Sequence, residues 1–242
     1  MTAMESSRSV RNGATPLARG TSIAYGRRPD TLYHSVVGLA KVLMRIMRWR
    51  VTVSGEENIP ASGPAIIAAN HIGFMDFVFL GFAADRRRRV VRFMAIQKAF
   101  EHPLGGPLLR GMRHIPVDRE GDPVAAFDHA VRALRAGEIV GLHPEARVNR
   151  LRDPGKVGIR SAKSGAARMA LATGAPLIPA AVWGSQHLLV PGAPVKFPRD
   201  LTISVSLGQT MAFDATANPQ VLTGQLMDRI QGLCLEAAAS TT

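Results

Sequence analysis

The sequence predicts an α/β domain with a mainly parallel central sheet flanked by helices. Two observations carry this. Seven short β-rich runs alternate with segments whose apolar residues recur every three or four positions. The 242 residues, 46% hydrophobic and 20% charged, are also enough to bury one sizeable core. The same composition excludes a wholly disordered, collagen-like or disulfide-scaffold chain. The one cysteine, Cys234, lies in an apolar-periodic stretch and is read as core, so no internal disulfide can form.

Residues 1–30 are rich in Ser, Thr, Gly and Arg without a sustained apolar run. They read as a flexible basic tail, with an Arg-rich transit peptide as the lesser alternative. Residues 31–50 read as an amphipathic helix. Leu32, Val36, Leu39, Leu43 and Met47 share a face, Lys41, Arg45 and Arg48 occupy others, and Trp49 stands near the end. The pattern suits a membrane-associating helix in the headgroup region of an anionic bilayer and equally a helix packed on its own domain. Its charges exclude an ordinary spanning helix. In the remaining domain, 51–242, the strand candidates are 51–55, 65–70, 90–97, 114–118, 138–144, 176–184 and 202–208. Helices are expected at 76–84, 98–110, 122–136, 161–173 and 217–238, the third opening on Asp122 and Pro123 as N-cap and first-turn pair. The run Arg86–Arg89 reads as a solvated loop.

Thirty basic against eighteen acidic residues leave a net charge of +12, which favours phosphate esters, acidic lipid or nucleic acid as partners. The stretch 147–168 alone holds Arg147, Arg150, Arg152, Lys156, Arg160, Lys163 and Arg168 against Asp153. Aromatic residues make up 5% of the chain and none interleaves with these cations, so the stacking surface that nucleic acid needs is missing.

In a parallel α/β domain ligands gather beyond the carboxyl ends of the strands. Three such loops carry candidate chemistry. The run 65–70 leads into Asn70 and His71, with Asp76 five residues later. On one continuous helix that spacing would point the two side chains about 140° apart. With His71 in a loop and Asp76 in the first turn of the following helix they can meet. The carboxylate then fixes the imidazole tautomer and leaves the second nitrogen as a general base. The spacing alone is unspecific. The second loop carries Arg119, with Arg113 before the strand, and an Arg there can fork onto a phosphate. The third holds His143, Pro144, Glu145 and Arg147, and the helix expected beyond it opens near Lys163, where backbone amides and an ammonium can hold an anion.

Taken together, these loops resemble the four sequence blocks of the glycerolipid acyltransferase family, most closely its 1-acylglycerol-3-phosphate (lysophosphatidic acid) acyltransferases. Asn70-His71-Ile-Gly-Phe-Met-Asp76 matches N-H-x-x-x-x-D, and Gly111 to Arg119 matches the second block with its terminal D-R. Pro144-Glu145 matches the third, and Leu177-Ile178-Pro179-Ala180 with Val182-Trp183-Gly184-Ser185 matches the fourth. The third block departs from the usual Phe-Pro-Glu-Gly-Thr, reading His143-Pro144-Glu145-Ala146-Arg147, which puts the shape of that loop in question. The resemblance implies an acyltransferase domain in which His71 deprotonates an acceptor hydroxyl and Asp76 orients it. Arg119, Glu145, Arg147 and Lys163 would bind the acceptor, Pro179 would shape the pocket, and amides near the first block would stabilise the oxyanion. The donor is acyl-CoA or acyl carrier protein, with no other cofactor and no metal. The implied partners are a lysophospholipid acceptor and an anionic membrane surface, at the cytoplasmic face, with peripheral or monotopic attachment. Glycerol 3-phosphate or a lysophospholipid is the alternative acceptor, and a non-catalytic anionic-lipid-binding protein the alternative class. A serine esterase is disfavoured because no G-x-S-x-G occurs.

Overall fold

A computed structural model of the protein describes residue 25 and residues 29–149, 162–189 and 197–241. Most of the basic tail, and Arg150, Arg152, Lys156, Arg160 and Ser161, lie outside the described residues. Seven strands form one sheet: β1 (Arg50–Ser54), β2 (Ala65–Ala69), β3 (Val91–Ile96), β4 (Ile115–Val117), β5 (Ile139–Leu142), β6 (Leu177–Trp183) and β7 (Thr202–Leu207). Each falls on one of the seven expected runs. Their order is β1-β7-β6-β2-β5-β3-β4, and every pairing is parallel except β6 with β7.

The helices are α1 (Thr31–Ile46), α2 (Asp76–Arg86), α3 (Gln97–Glu101), α4 (Gly105–Gly111), α5 (Pro123–Arg135), α6 (Gly165–Thr173) and α7 (Pro219–Ala239). The single helix expected over 98–110 is two. Pro103 cannot donate to a helical ladder, and His102 Nδ1 instead accepts from the amides of Leu104 and Gly105, starting α4 afresh. Asp122 caps α5 as expected, accepting from Val124 and Ala125, and Asn218 caps α7 in the same way. α6 begins at Gly165, later than expected.

β2 alternates its side chains between two cores. Ile67 and Ala69 pack with Phe79, Leu80 and Met44 beneath α1 and α2, whereas Ile66 and Ala68 pack with Ala130, Ala166 and Leu226 beneath α5, α6 and α7. Helices thus cover both faces, which is why the strand reads as an unbroken apolar run. The chain leaves β2 for β3 on one side, and α6 delivers β6 to the other. The carboxyl end of β2 is therefore a topological switch point.

α1 is fastened at its start. Asp30 pairs with Arg113 and, at 2.9 Å, with Arg92, a guanidinium buried in β3 that also reaches Glu138 at 3.1 Å. Along the helix, Tyr33, Val37 and Met44 are buried against the domain, while Leu32, Leu39, Val42 and Ile46 form a neighbouring exposed apolar stripe. The buried face is that of a helix packed on its own domain. Among the described residues no helix is long and apolar enough to cross a membrane.

Candidate active site

The switch point is built from the end of β2. Asn70 continues the strand with its side chain, whose Nδ2 donates to the Val182 carbonyl at 2.9 Å and whose Oδ1 accepts from the Val182 amide at 2.8 Å. This amide pairing anchors the loop to β6 where backbone pairing ends. His71 follows, its side chain 20% exposed. Asp76 sits in the first turn of α2, fully buried, and its Oδ2 lies 2.9 Å from His71 Nδ1. The same oxygen accepts from the amides of Ile72 at 2.9 Å and Gly73 at 3.0 Å, and Oδ1 accepts from the Ser185 hydroxyl. A side chain at residue 73 would stand 2.7 Å from the Ser185 carbonyl, so Gly73 is what lets the two loops touch.

A carboxylate against Nδ1 holds the proton there and leaves Nε2 unprotonated. The amides do not serve as expected. Ile72 and Gly73 are committed to Asp76, and the His71 amide donates to Glu145 Oε1 at 3.3 Å. An oxyanion must find its donors elsewhere than these three groups.

Glu145 is buried against the His71 amide. Burial raises its carboxyl above the usual range, against the opposing bonds from the His71 amide and Asn149. His143 lies face to face with His71, ring centroids 4.1 Å apart and planes 11° from parallel, and its Nδ1 is 2.8 Å from the Asn70 carbonyl. Ala146, at the position where the family pattern has Gly, adopts a left-handed conformation with φ of 57°. A glycine enters this region freely, whereas an alanine does so at a strain cost of about 1–2 kcal/mol.

His71, Glu145, Arg119, Arg147 and Lys163 all line one cavity of about 1790 Å³. Arg119 sits in a loop ordered by Asp118, which accepts from the amides of Glu120 and Gly121. Arg168 reaches the same cavity from α6, its guanidinium 5.5 Å from the Phe127 ring. The Lys163 amide is spent on the Pro144 carbonyl at 2.9 Å, so an anion there would meet the side chain rather than that amide. Away from the cations the walls are apolar, with Val36 and Leu43 of α1, Phe77 and Phe82 of α2, and Met112. Pro179 stands apart. It lies in the middle of β6 against Gly208, outside the cavity lining, so it shapes the sheet rather than the pocket.

His71, Asp76 and His143 bring possible metal-ligand atoms within 4.8 Å of one another. The Nδ1 of each ring already has a partner, Asp76 for His71 and the Asn70 carbonyl for His143.

The Acyltransferase family model matches residues 50–183, a span containing His71, Asp76, Arg119, His143, Glu145, Arg147, Lys163 and Arg168, but not Ser185 or the α1 residues Val36 and Leu43. The chain belongs to the Acyltransferase family. Among its similar proteins is a 1-acyl-sn-glycerol-3-phosphate acyltransferase of Bacillus subtilis, 31% identical over 153 residues that make up 63% of this chain and 72% of the relative. An uncharacterized protein of Mycobacterium leprae is 30% identical over 148 residues, 58% of this chain and 38% of its own length. The crystal structure of the 1-acyl-sn-glycerophosphate (LPA) acyltransferase PlsC from Thermotoga maritima superposes with a TM-score of 0.69 at 24% identity, covering 86% of this chain and 80% of the other. That likeness establishes the fold of the acyltransferase. Neither Ser185 nor Asn70 is marked for a role by any local sequence pattern. Their only signal was membership of the matched blocks.

Proposed function

We propose that this acyltransferase moves a fatty acyl group from acyl-CoA or acyl carrier protein to the free hydroxyl of lysophosphatidic acid, giving phosphatidic acid for phospholipid biosynthesis. The observation that carries the proposal is the cavity. It holds an imidazole base, a group of cations and a long apolar wall in one volume, larger than the roughly 300–1,000 Å³ of an ordinary small-molecule site. The acceptor hydroxyl gives its proton to His71 Nε2 as its oxygen attacks the thioester carbonyl. The new C–O ester bond forms, the C–S bond breaks, and the imidazolium returns the proton to the leaving thiolate. Asp76 steadies the imidazolium, and such a positioned base contributes about 10²- to 10⁴-fold. No residue of the chain is acylated.

Arg119, Arg147 and Lys163 take the acceptor phosphate, with Arg168 as a fourth cation. Glu145, being an acceptor, suits a glycerol hydroxyl better than a phosphate. The exposed stripe on α1, with Leu104 of the α3–α4 turn 82% exposed, supports a peripheral or monotopic seat on an anionic membrane at the cytoplasmic face, where acyl-CoA and acyl carrier protein are met.

The test is transfer from a series of acyl-CoAs, and from acyl carrier protein, to lysophosphatidate, glycerol 3-phosphate and lysophospholipids. Lysophosphatidate is expected to be the preferred acceptor. His71→Ala is expected to abolish transfer while its thermal unfolding stays cooperative, and normal turnover in that variant would overturn the mechanism.

A further inference from the structure

We infer that His143 is a positioning residue for His71, a neutral aromatic plate that fixes the plane of the base and stabilises the imidazolium formed when the acceptor is deprotonated. The inference rests on His71 being the base. Three features of the geometry carry it. The rings are parallel within 11° at a centroid separation of 4.1 Å, a face-to-face contact rather than the edge-on approach seen between Tyr33 and His114. His143 Nδ1 lies 2.8 Å from the Asn70 carbonyl and 3.2 Å from that of Ala69, acceptors that require the proton on Nδ1 and clamp the ring to the end of β2. The third is electrostatic. Asp76 bonds to His71 rather than to His143, so the imidazolium that carboxylate stabilises is the one on His71.

Two stacked imidazolium ions at this distance would repel strongly, so the pair works only if one ring stays uncharged. Burial, and after it the neighbouring His71, push His143 down to about 4, which keeps it neutral where the enzyme operates. A neutral ring face attracts a cation placed over it. As His71 takes up the acceptor proton the contact changes from a stack of two neutral rings to a cation on a π face. It strengthens as the transition state forms and so lowers the barrier rather than merely aiding binding.

The test compares His143→Ala, His143→Leu and His143→Phe in the full chain, measuring kcat and KM with lysophosphatidate and an acyl-CoA, with thermal unfolding as the control for folding. His143→Ala is expected to lower kcat about 10-fold, equivalent to about 1.4 kcal/mol in the barrier, with both KM values within about 2-fold. His143→Leu fills the space without a π face and is expected to stay near the Ala value. His143→Phe is expected to recover most of kcat. Wild-type kcat in the Ala variant, or equal recovery by Leu and Phe, would overturn the inference. So would a Phe variant no better than Ala, because the plate would then not be what His71 uses. If His71→Ala itself proved active, the base assignment would fail instead, so the two failures are distinguishable.

Discussion

Asp76 holds four donors at once, and that fixes what each neighbour does. Three of them, His71 Nδ1 and the amides of Ile72 and Gly73, converge on Oδ2, whereas among the described residues Oδ1 has only the Ser185 hydroxyl. Removing that hydroxyl leaves a buried carboxylate oxygen without a partner, at a cost of about 1–3 kcal/mol. Ser185→Ala is therefore expected to lower stability by that amount in denaturant unfolding. It should also reduce kcat about 10-fold with little change in KM, because Asp76 is then free to turn away from His71. Wild-type kcat in this variant would show that Oδ2 alone orients the base. At this scale legibility follows sequence distance. His71 and Asp76 stand five residues apart, and their loop-then-helix placement can be argued from spacing. Ser185 reaches Asp76 across 109 residues of sequence, and no local pattern marks it. Glu145 was legible as a site residue, but its turn toward the His71 amide depends on how two loops pack.

α1 shows the same limit for whole elements. The period of Leu32, Val36, Leu39, Leu43 and Met47 correctly marks a helix, but period alone cannot say what each part of an apolar face meets. In the structure the apolar arc is wide enough to serve three surroundings. Tyr33, Val37 and Met44 enter the domain, Val36 and Leu43 wall the cavity, and Leu32, Val42 and Ile46 remain outside. Deleting the helix would therefore open the active-site cavity as well as remove the surface stripe, so point changes on the stripe separate the two roles. Leu32, Val42 and Ile46 replaced together by Glu are expected to abolish co-flotation with anionic vesicles. Soluble short-chain substrates should still turn over at close to the wild-type rate. Unchanged flotation would move the membrane contact elsewhere, since three carboxylates oppose both the apolar and the electrostatic parts of such binding. The reading of 98–110 as one helix followed the apolar period past Pro103, and the cap that restarts α4 depends on the side-chain rotamer of His102.

Across the whole molecule, the +12 charge overshadows a smaller set of ionisable groups that the fold has taken out of water. Burial pushes His114 down to about 3 and His143 to about 4, and lowers His129 as well. Burial alone would raise Asp30, but its bonds and charge pairing with Arg92 and Arg113 outweigh that and hold it below the usual carboxylate range. The sign is the same for all four. An unfolded chain protonates its histidines near 6.5, whereas the native His114 and His143 stay neutral until near 3 and 4, so between those limits the unfolded state binds more protons and stability falls as pH falls. Each fully offset histidine contributes a slope of about 1.4 kcal/mol per pH unit, and Asp30 extends the loss below its ordinary value. Glu145 works the other way, because burial raises it, and it relieves part of the loss at the acid end. The midpoint of thermal unfolding is therefore expected to be nearly level from pH 7 to 8 and to drop steeply between pH 6.5 and 4. His114→Gln keeps an acceptor for the Phe93 amide that His114 Nδ1 now receives at 3.1 Å, and it should make that drop shallower by one proton. A wild-type midpoint that stays level down to pH 5 would mean that these histidines are as well accommodated charged as neutral, contrary to the near-complete removal of His114 from solvent.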